Sequence, residues 1–329
     1  FKMQTIYLTS ENKQEGKTSF TITLAHHLLT KGLNIGILNP LCNKYDESVY
    51  HKLLGKKEND YSGKYTVITN NKFDIKNVVD SYNQLIKNNI DFLLIDGNNS
   101  ISIENINLIL HKINATIIFL AKYNPQLNEK YFAKYHNNFK GNILFVINQT
   151  YKFATHQVET KIIPKLNSSK ITCLGYIPED KLLLAITPDQ IAQFIKGEIV
   201  NQYDGEKFLV ENFLIGGMGM DPAEYHFNHY KNKCIIVRGD RPDIQMSALN
   251  SNCSCIILTN NIKPIEYIQN EADLEQVPII VTETDTLETI DKLNGLNKNT
   301  FFNHSLKLDR YLELFRSNIQ LDQIFNINK

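Results

Sequence analysis

Short apolar segments alternate with helical patterns along the first half of the chain, and this alternation restricts the fold more than any other feature. Segment 5–9 is a candidate buried strand, and the stretch 18–31 that follows has a helical pattern ending at Gly32. Strands separated by helical stretches are typical of βαβ units, in which the strands run parallel and the crossovers are right-handed. We therefore predict a doubly wound, mainly parallel α/β sheet. Its further strands are predicted at 34–39, 91–96, 115–121, 142–148 and 171–176, with another helix at 75–88.

A second, smaller α/β series follows a linker that contains Asp204 and Gly205. The chain has 329 residues, which exceeds one ordinary core, so two domains are expected. We predict a first domain over 1–200 and a second over 208–329 that ends in a closing helix. The polar segment 45–74 is interpreted as a mobile excursion over the sheet edge. In the second domain, strands are predicted at 213–215, 234–237, 254–258 and 278–281, and helices at 241–249, 263–272 and 306–317.

Charge and cysteine usage restrict the partners and the compartment. The formal net charge is +0, so no bulk attraction to nucleic acid or to a membrane surface is expected. No run approaches the length of apolar sequence that spans a membrane, and no signal peptide opens the sequence. The five cysteines are an odd number in a long chain, which argues against a disulfide framework. We expect a reduced, cytoplasmic protein.

Segment 10–19 (SENKQEGKTS) lies between the first predicted strand and the first predicted helix, where a phosphate-binding loop belongs. A helix N-terminus presents unpaired N–H groups and a positive dipole end to a phosphate, and Gly16 allows the backbone to approach it closely. Lys17 is predicted to reach the β- and γ-phosphates, Thr18 to ligate Mg²⁺, and Ser19 to join them in nucleotide binding. The predicted ligand is Mg·ATP.

This loop departs from the usual G-x-x-x-x-G-K-[ST] pattern, because residue 11 is Glu where the first Gly is expected. Glu15 adds a second carboxylate beside Gly16. Carboxylates next to a phosphate repel it unless Mg²⁺ or Lys13 offsets their charge, so Glu11 opposes tight Mg·ATP binding. Two interpretations stay open: a working ATP or GTP site, and an inherited loop that no longer binds.

Two polar residues end other predicted strands of the first domain. Asp96 ends segment 91–96, where a carboxylate can hold Mg²⁺ through water; the alternative is a residue that only forms the strand-end turn. Asn148 ends segment 142–148, where its amide can hydrogen-bond the edge of a nucleotide base; the alternative is again a turn residue.

Arginine is rare in this chain, yet two of its four arginines lie three residues apart, at Arg238 and Arg241. A guanidinium group is a planar fork, which suits a carboxylate or another anion better than the point charge of lysine. Asp240 and Asp243 lie in the same segment. The four residues are therefore interpreted either as Arg–Asp pairs that fix a loop or as a loop that binds a ligand or a second subunit.

The first half of the chain resembles the P-loop proteins that include dethiobiotin synthetase and the cobyrinic acid amidases. The second half resembles a DRTGG domain, in which Asn260 and Asn261 replace a frequent pair of glycines; Asn tolerates the positive φ of such a turn. The first resemblance is carried by 16–18 (GKT), 38–40 (LNP), 95–97 (IDG), Asn148 and 174–180 (LGYIPED), and the second by 215–218 (IGGM), 239–245 (GDRPDIQ), 257–259 (ILT) and 277–281 (VPIIV).

Together, the two domains resemble the N-terminal half of the long bacterial phosphate acetyltransferases. The resemblance implies a regulatory and assembly role in a homo-oligomer, with nucleotide sensing by the first domain. It implies that a separate acetyltransferase domain, in the same or another chain, converts acetyl-CoA and phosphate to acetyl phosphate and CoA, and that this chain alone does not. The alternatives are an ATP-dependent ligase of the dethiobiotin or cobyrinate type and a simple P-loop NTPase.

Overall fold

The computed structural model describes residues 3–42, 44–55, 63–217, 220–296 and 300–325. These residues form two compact units. The first unit comprises the chain up to Glu179 and the segment that begins at Phe302, and the second unit is Asp180–Phe301. The predicted domain boundary near residue 200 and this division differ by about one helix. The closing helix, which was predicted in the second domain, belongs to the first unit in this division.

The first unit is a sheet of seven strands with helices on both faces. Its strands are β1 (Gln4–Ser10), β2 (Ile35–Asn39), β3 (Tyr65–Thr69), β4 (Phe92–Asp96), β5 (Thr116–Lys122), β6 (Ile143–Thr150) and β7 (Cys173–Pro178). Its helices are α1 (Lys17–Thr30), α2 (Lys44–Leu54), α3 (Ile75–Ile86), α4 (Ile103–Ile113), α5 (Glu129–Asn138), α6 (Thr155–Gln157), α7 (Ile163–Ser168), α13 (Ser305–Asn318) and α14 (Leu321–Phe325).

The strand order in this sheet is β3-β2-β4-β1-β5-β6-β7, and every pairing is parallel. This confirms the predicted doubly wound, mainly parallel α/β sheet. The central strand β1 is buried on both faces, as expected for a strand covered by two helical layers. Connections lead away from β1 in both directions along the sheet. Its carboxyl end therefore lies where open α/β sheets bind ligands.

The polar segment 45–74 differs from the predicted mobile excursion. Helix α2 occupies its first part, and β3 pairs in parallel register with β2, from Tyr65 beside Ile35 to Thr69 beside Asn39. The β-branched and aromatic side chains of β3 suit a half-buried edge strand, although the surrounding sequence is polar. Residues 56–62 of that prediction lie outside the described residues.

Helix α13 lies at the predicted position but packs on the first unit. Phe315 contacts Phe20 of α1 edge-to-face, with ring centroids 5.2 Å apart. Ile319 forms an antiparallel bridge with Gly175 of β7, and a Cβ at Gly175 would lie 1.9 Å from the carbonyl oxygen of Asn318. The apolar face of α13 predicts burial, but the sequence does not say which of two cores it covers, because sequence proximity favours the second domain.

The second unit is a five-stranded sheet in the order β8-β12-β11-β10-β9, in which only the β8–β12 pair is antiparallel. This confirms the predicted smaller α/β domain. Its strands are β8 (Glu198–Ile199), β9 (Asn212–Ile215), β10 (Lys233–Arg238), β11 (Cys255–Thr259) and β12 (Ile279–Val281), and its helices are α8 (Pro188–Ile195), α9 (Met220–Phe227), α10 (Pro242–Asn250), α11 (Glu266–Leu274) and α12 (Thr286–Leu293).

The strands β9 to β12 are neighbours in chain order, so the chain winds across this sheet in one direction. Residues of α9, α10 and α11, such as Phe227, Ile244 and Ile268, share one core with one face of the strands. Residues of α8 and α12, such as Ile191 and Leu293, share a separate core with the other face. The strand order does not reverse within this sheet, so it has no central switch point of the kind found in the first unit.

We predict that the docking of α13 makes the stability of the first unit dependent on pH. Arg316 Nε lies 3.4 Å from Nδ1 of His27. Burial and the nearby cations Lys31, Arg316 and His26 lower the pKa of His27 from 6.5 to about 4. The folded state therefore holds this ring neutral, and the unfolded state binds more protons between these values. The free energy of unfolding should fall as the pH drops from about 6.5 towards 4.

Urea denaturation at several pH values measures this effect, with His27→Gln as the comparison because Gln does not titrate. The variant should show a flatter dependence on pH. Some dependence should persist, because burial also lowers the pKa of His26. Equal slopes for the two proteins would contradict the role given to His27.

Candidate nucleotide-binding site

Asn148, at the end of β6, binds the backbone of the loop between β1 and α1. Its Nδ2 donates to the carbonyl oxygen of Glu15 at 2.8 Å. Gly16 then begins the helix with a left-handed φ of 87°, and a Cβ at this position would lie 2.2 Å from Asn148 Nδ2. Only glycine satisfies both the backbone conformation and this close approach. Gly16 is the N-cap residue of α1, and it has no side chain to cap the helix.

Lys17 extends across the carboxyl ends of two neighbouring strands. Its Nζ donates to Ser10 Oγ, at 2.9 Å, and to Asn99 Oδ1 in the loop after β4. Asn99 in turn donates to the carbonyl oxygen of Ser10 at 2.8 Å. Thr18 and Ser19 lie in the first turn of α1 and are half-buried. The structure therefore brings Gly16, Lys17, Thr18 and Ser19 together at the carboxyl end of β1.

Both loop carboxylates have partners inside the protein. Glu11 lies 3.8 Å from Lys134 of α5. Burial and the charge of this carboxylate raise the pKa of both Tyr131 and Tyr135. Glu15 is buried and accepts from the backbone N–H of Asn12 at 3.2 Å and from its side chain at 3.1 Å. Paired carboxylates repel a nearby phosphate less than free ones. Glu11 and Glu15 therefore oppose Mg·ATP binding less than the sequence alone suggests.

Asp96 lies at the carboxyl end of β4, with its Cα in register with Leu8 of β1. Its carboxylate is buried and accepts a hydrogen bond from the hydroxyl of Tyr50 in α2. Asn39 Nδ2 donates to the same hydroxyl at 3.2 Å. Tyr50 was missed by the sequence analysis because it lies in the polar segment 45–74. The signal available was its position beside Val49 and one turn before Leu53 and Leu54 on a helical pattern.

Asn148 is 2% exposed and uses both ends of its amide within the protein. Its Nδ2 binds the loop carbonyl, and its Oδ1 accepts from the hydroxyl of Tyr311 in α13 at 3.5 Å. The structure thus gives Asn148 a role as a support of the loop, which neither the base-edge nor the turn interpretation anticipated. Sequence reasoning also missed Tyr311, which is far from Asn148 along the chain.

The arginine segment belongs to the second unit, and its charges pair locally. Arg238 Nη2 lies 2.5 Å from Asp240 Oδ2. Arg241 binds Asp243 with two hydrogen bonds, of 2.9 and 2.7 Å. This geometry favours the interpretation of Arg–Asp pairs that fix a loop. The side chains stay partly exposed, so a role at a subunit or ligand surface is still a prediction.

The turn expected at Asn260 and Asn261 is present in the second unit. Asn260 and Asn261 adopt φ values of 66° and 54°, so Asn does form the turn where the family often has glycine. Gly216 and Gly217 follow β9, and Met218 lies outside the described residues. In the described chain the five cysteines are buried and form no disulfide, and no cluster of ligating side chains suits a metal ion. Among the described residues of both units, no helix is long and apolar enough to cross a membrane.

Comparison with known proteins relates the chain to a family. Residues 190–296 match the DRTGG domain family. The phosphate acetyltransferase of Synechocystis sp. is 27% identical over 165 residues, which are 47% of this chain and 24% of that protein. The chain is related to the phosphate acetyltransferases and carries a DRTGG domain. The phosphate acetyltransferase of Buchnera aphidicola is 22% identical over 299 residues, which are 87% of this chain. The alignment with this relative spans only 40% of its length.

Solved structures share parts of the fold at low identity. The MinC:MinD cell division protein complex of Aquifex aeolicus aligns with 55% of this chain and 83% of its own, at 15% identity and a TM-score of 0.41. The signal recognition particle 54 kDa protein of Aeropyrum pernix, in complex with GDP, aligns with 54% of this chain and 42% of its own, at 8% identity and a TM-score of 0.42. The CBS and DRTGG domains of a Clostridium perfringens pyrophosphatase align with 35% of this chain and 50% of their own, at 18% identity and a TM-score of 0.29.

We predict that Gly16→Ala destabilises the first unit more than Gly32→Ala does. Both glycines have a positive φ, of 87° and 82°, which costs a residue with a side chain about 1–2 kcal/mol. Only at Gly16 does the new Cβ meet Asn148; at Gly32 no described atom lies within 4 Å of it. Urea denaturation should show an excess loss of about 1 kcal/mol or more for Gly16→Ala. Equal losses would contradict the close packing of Asn148 under the loop.

We predict that Tyr50→Phe lowers the free energy of unfolding by about 1.5–3 kcal/mol, because it removes a hydrogen bond to a buried carboxylate. Tyr7→Phe is the matched control. The Tyr7 hydroxyl is buried, and among the described residues it has no hydrogen-bond partner, so its removal should cost little. Similar losses in the two variants, measured by chemical denaturation, would show that the Tyr50–Asp96 bond does not stabilise the protein.

Proposed function

We propose that this chain is the regulatory and assembly part of a phosphate acetyltransferase system, and that its first unit binds Mg·ATP. The DRTGG domain and the relationship to phosphate acetyltransferases support the regulatory role. The observation that carries the nucleotide proposal is the Gly16–Lys17 loop, which lies at the carboxyl end of the central strand and leads directly into the N-terminus of α1. Unpaired N–H groups and a positive helix end at such a position suit a phosphate.

The residues of the loop fit Mg·ATP as follows. Lys17 would exchange its contacts with Ser10 and Asn99 for the phosphates, which are stronger partners because they carry full negative charge. Thr18 would supply a hydroxyl ligand to Mg²⁺, and Ser19 would add a further group in the first turn of α1. Asp96 would contact the hydrated metal once Tyr50 releases one of its oxygens.

The second unit supplies the assembly function in this proposal. The paired charges of Arg238, Asp240, Arg241 and Asp243 form a partly exposed, neutral segment that suits contact with a second subunit or a ligand. Acetyl transfer between acetyl-CoA and phosphate would be carried out by a catalytic acetyltransferase domain, in the same or another chain. Within a homo-oligomer, nucleotide binding to the first unit would then change the activity of that catalytic domain.

We predict that calorimetric titration with Mg·ATP gives micromolar binding to this chain and no binding to Lys17→Ala. Lys17 supplies the charge that meets the phosphates, so its removal should abolish the signal. Lys112→Ala is the matched control, because Lys112 is an exposed lysine in the last turn of α4, outside the loop. It should bind within a few-fold of the unmodified chain, since an exposed charge contributes little.

Three outcomes would change this assignment. No binding to the unmodified chain would contradict nucleotide sensing and leave assembly alone. Steady release of phosphate that is lost in Lys17→Ala would instead favour a P-loop NTPase or ligase. Formation of acetyl phosphate from acetyl-CoA by this chain would contradict the regulatory role.

A further inference from the structure

Helix α13 follows the DRTGG match in sequence, but it forms part of the support of the phosphate-binding loop. Its buried face consists mainly of apolar and aromatic side chains, including Leu308, Tyr311, Leu312 and Phe315. Phe315 packs on Phe20 of α1, and Tyr311 lies between Phe302, at a ring distance of 5.6 Å, and Asn148. The helix that begins with the loop and the strand that supports it are therefore both contacted by α13.

The contact passes from α13 to the loop backbone in two steps. The hydroxyl of Tyr311, which is 3% exposed, donates to Asn148 Oδ1 at 3.5 Å. Asn148 Nδ2 donates to the carbonyl oxygen of Glu15 at 2.8 Å. The Glu15 carbonyl oxygen can only accept, so the amide nitrogen of Asn148 must face it, and the amide oxygen then accepts from the Tyr311 hydroxyl. A flipped Asn148 would place its oxygen against the carbonyl oxygen and its nitrogen against the hydroxyl.

The orientation of this amide determines the orientation of the loop peptide. In a trans peptide the C=O and the following N–H point in opposite directions. When Asn148 holds the Glu15 carbonyl in the interior, the N–H of Gly16 must point to the opposite side, away from Asn148. Backbone N–H groups so oriented at a helix N-terminus are the donors that bind phosphate.

We propose that Tyr311 is a positioning residue for the nucleotide site and that α13 is a latch, whose docking holds the loop in its phosphate-binding shape. The nucleotide part of this inference rests on the proposed function. Docking of α13 and nucleotide binding are then coupled, and the coupling is reciprocal. Mg·ATP stabilises the docked α13, and loss of the Tyr311 hydroxyl weakens Mg·ATP binding without altering any residue that touches the ligand.

The first experiment uses the chain without nucleotide, so it does not depend on the proposed function. Exchange in the loop is measured at the amide of Phe20, which donates to the Gly16 carbonyl oxygen at 2.9 Å. It should become about three- to tenfold faster in Tyr311→Phe, since one hydrogen bond of about 1 kcal/mol is lost. Tyr176→Phe is the matched control. Its hydroxyl donates to Glu159 at 2.6 Å, within the same unit, and its removal should leave exchange in the loop unchanged.

A second variant tests the same contact from its other end. Asn148→Asp replaces the donor to Glu15 by an oxygen, so it should also accelerate exchange in the loop while α13 stays docked. If neither Tyr311→Phe nor Asn148→Asp changes exchange at the Phe20 amide, the latch is refuted, whether or not the chain binds Mg·ATP. Acceleration in both variants but not in Tyr176→Phe supports it.

The nucleotide experiment separates the two proposals. Calorimetry should give a dissociation constant for Mg·ATP that is about three- to tenfold higher in Tyr311→Phe than in the unmodified chain, and Mg·ATP should slow hydrogen exchange within α13. If the unmodified chain does not bind Mg·ATP, the proposed function fails and the exchange data alone decide whether Tyr311 positions the loop. If Mg·ATP binds equally well to both proteins, the coupling is overturned while the proposed function stands.

Discussion

The contact between Asn148 and the backbone at Glu15 and Gly16 is the interaction on which the candidate site depends. It joins the carboxyl end of β6 to the loop after β1, although β5 lies between these two strands in the sheet. The close approach requires glycine at residue 16, a left-handed φ, and an amide rather than a larger or charged group at residue 148. A single hydrogen bond of this kind contributes only about 1 kcal/mol, but here it determines where backbone N–H groups point.

The carboxylates of the loop show how local sequence and tertiary environment differ in their effect. Glu11 and Glu15 are unfavourable neighbours for a phosphate when the loop is considered alone. In the folded unit, Tyr131, Tyr135 and Lys134 of α5 face Glu11, and Asn12 binds Glu15. The opposite charge of Lys134 and the hydrogen-bond donors of Asn12 reduce the negative field that reaches a ligand. Helix α5 therefore belongs to the electrostatics of the loop, although it lies more than 100 residues away along the chain.

The two units use the same βα elements in different ways. In the first unit the strand order reverses around β1, which opens a ligand position at its carboxyl end. In the second unit β9 to β12 follow one another across the sheet, so helices from consecutive crossovers lie on one face and α8 and α12 cover the other. This difference supports assigning the proposed nucleotide binding to the first unit and the proposed assembly role to the DRTGG domain.

The sequence by itself determined the α/β class, the parallel sheet and the position of the loop between β1 and α1, because strand and helix periodicity and the Gly16–Lys17–Thr18 pattern are local signals. It also indicated the DRTGG domain and the Asn260–Asn261 turn, since both depend on short segments. Only the tertiary structure decided that α13 covers the first unit, that Tyr50 binds Asp96, and that Tyr311 contacts Asn148. The two hydrogen bonds join residues that are 46 and 163 positions apart. No local pattern encodes such pairs, because an amphipathic helix specifies that it must be buried but not which surface buries it.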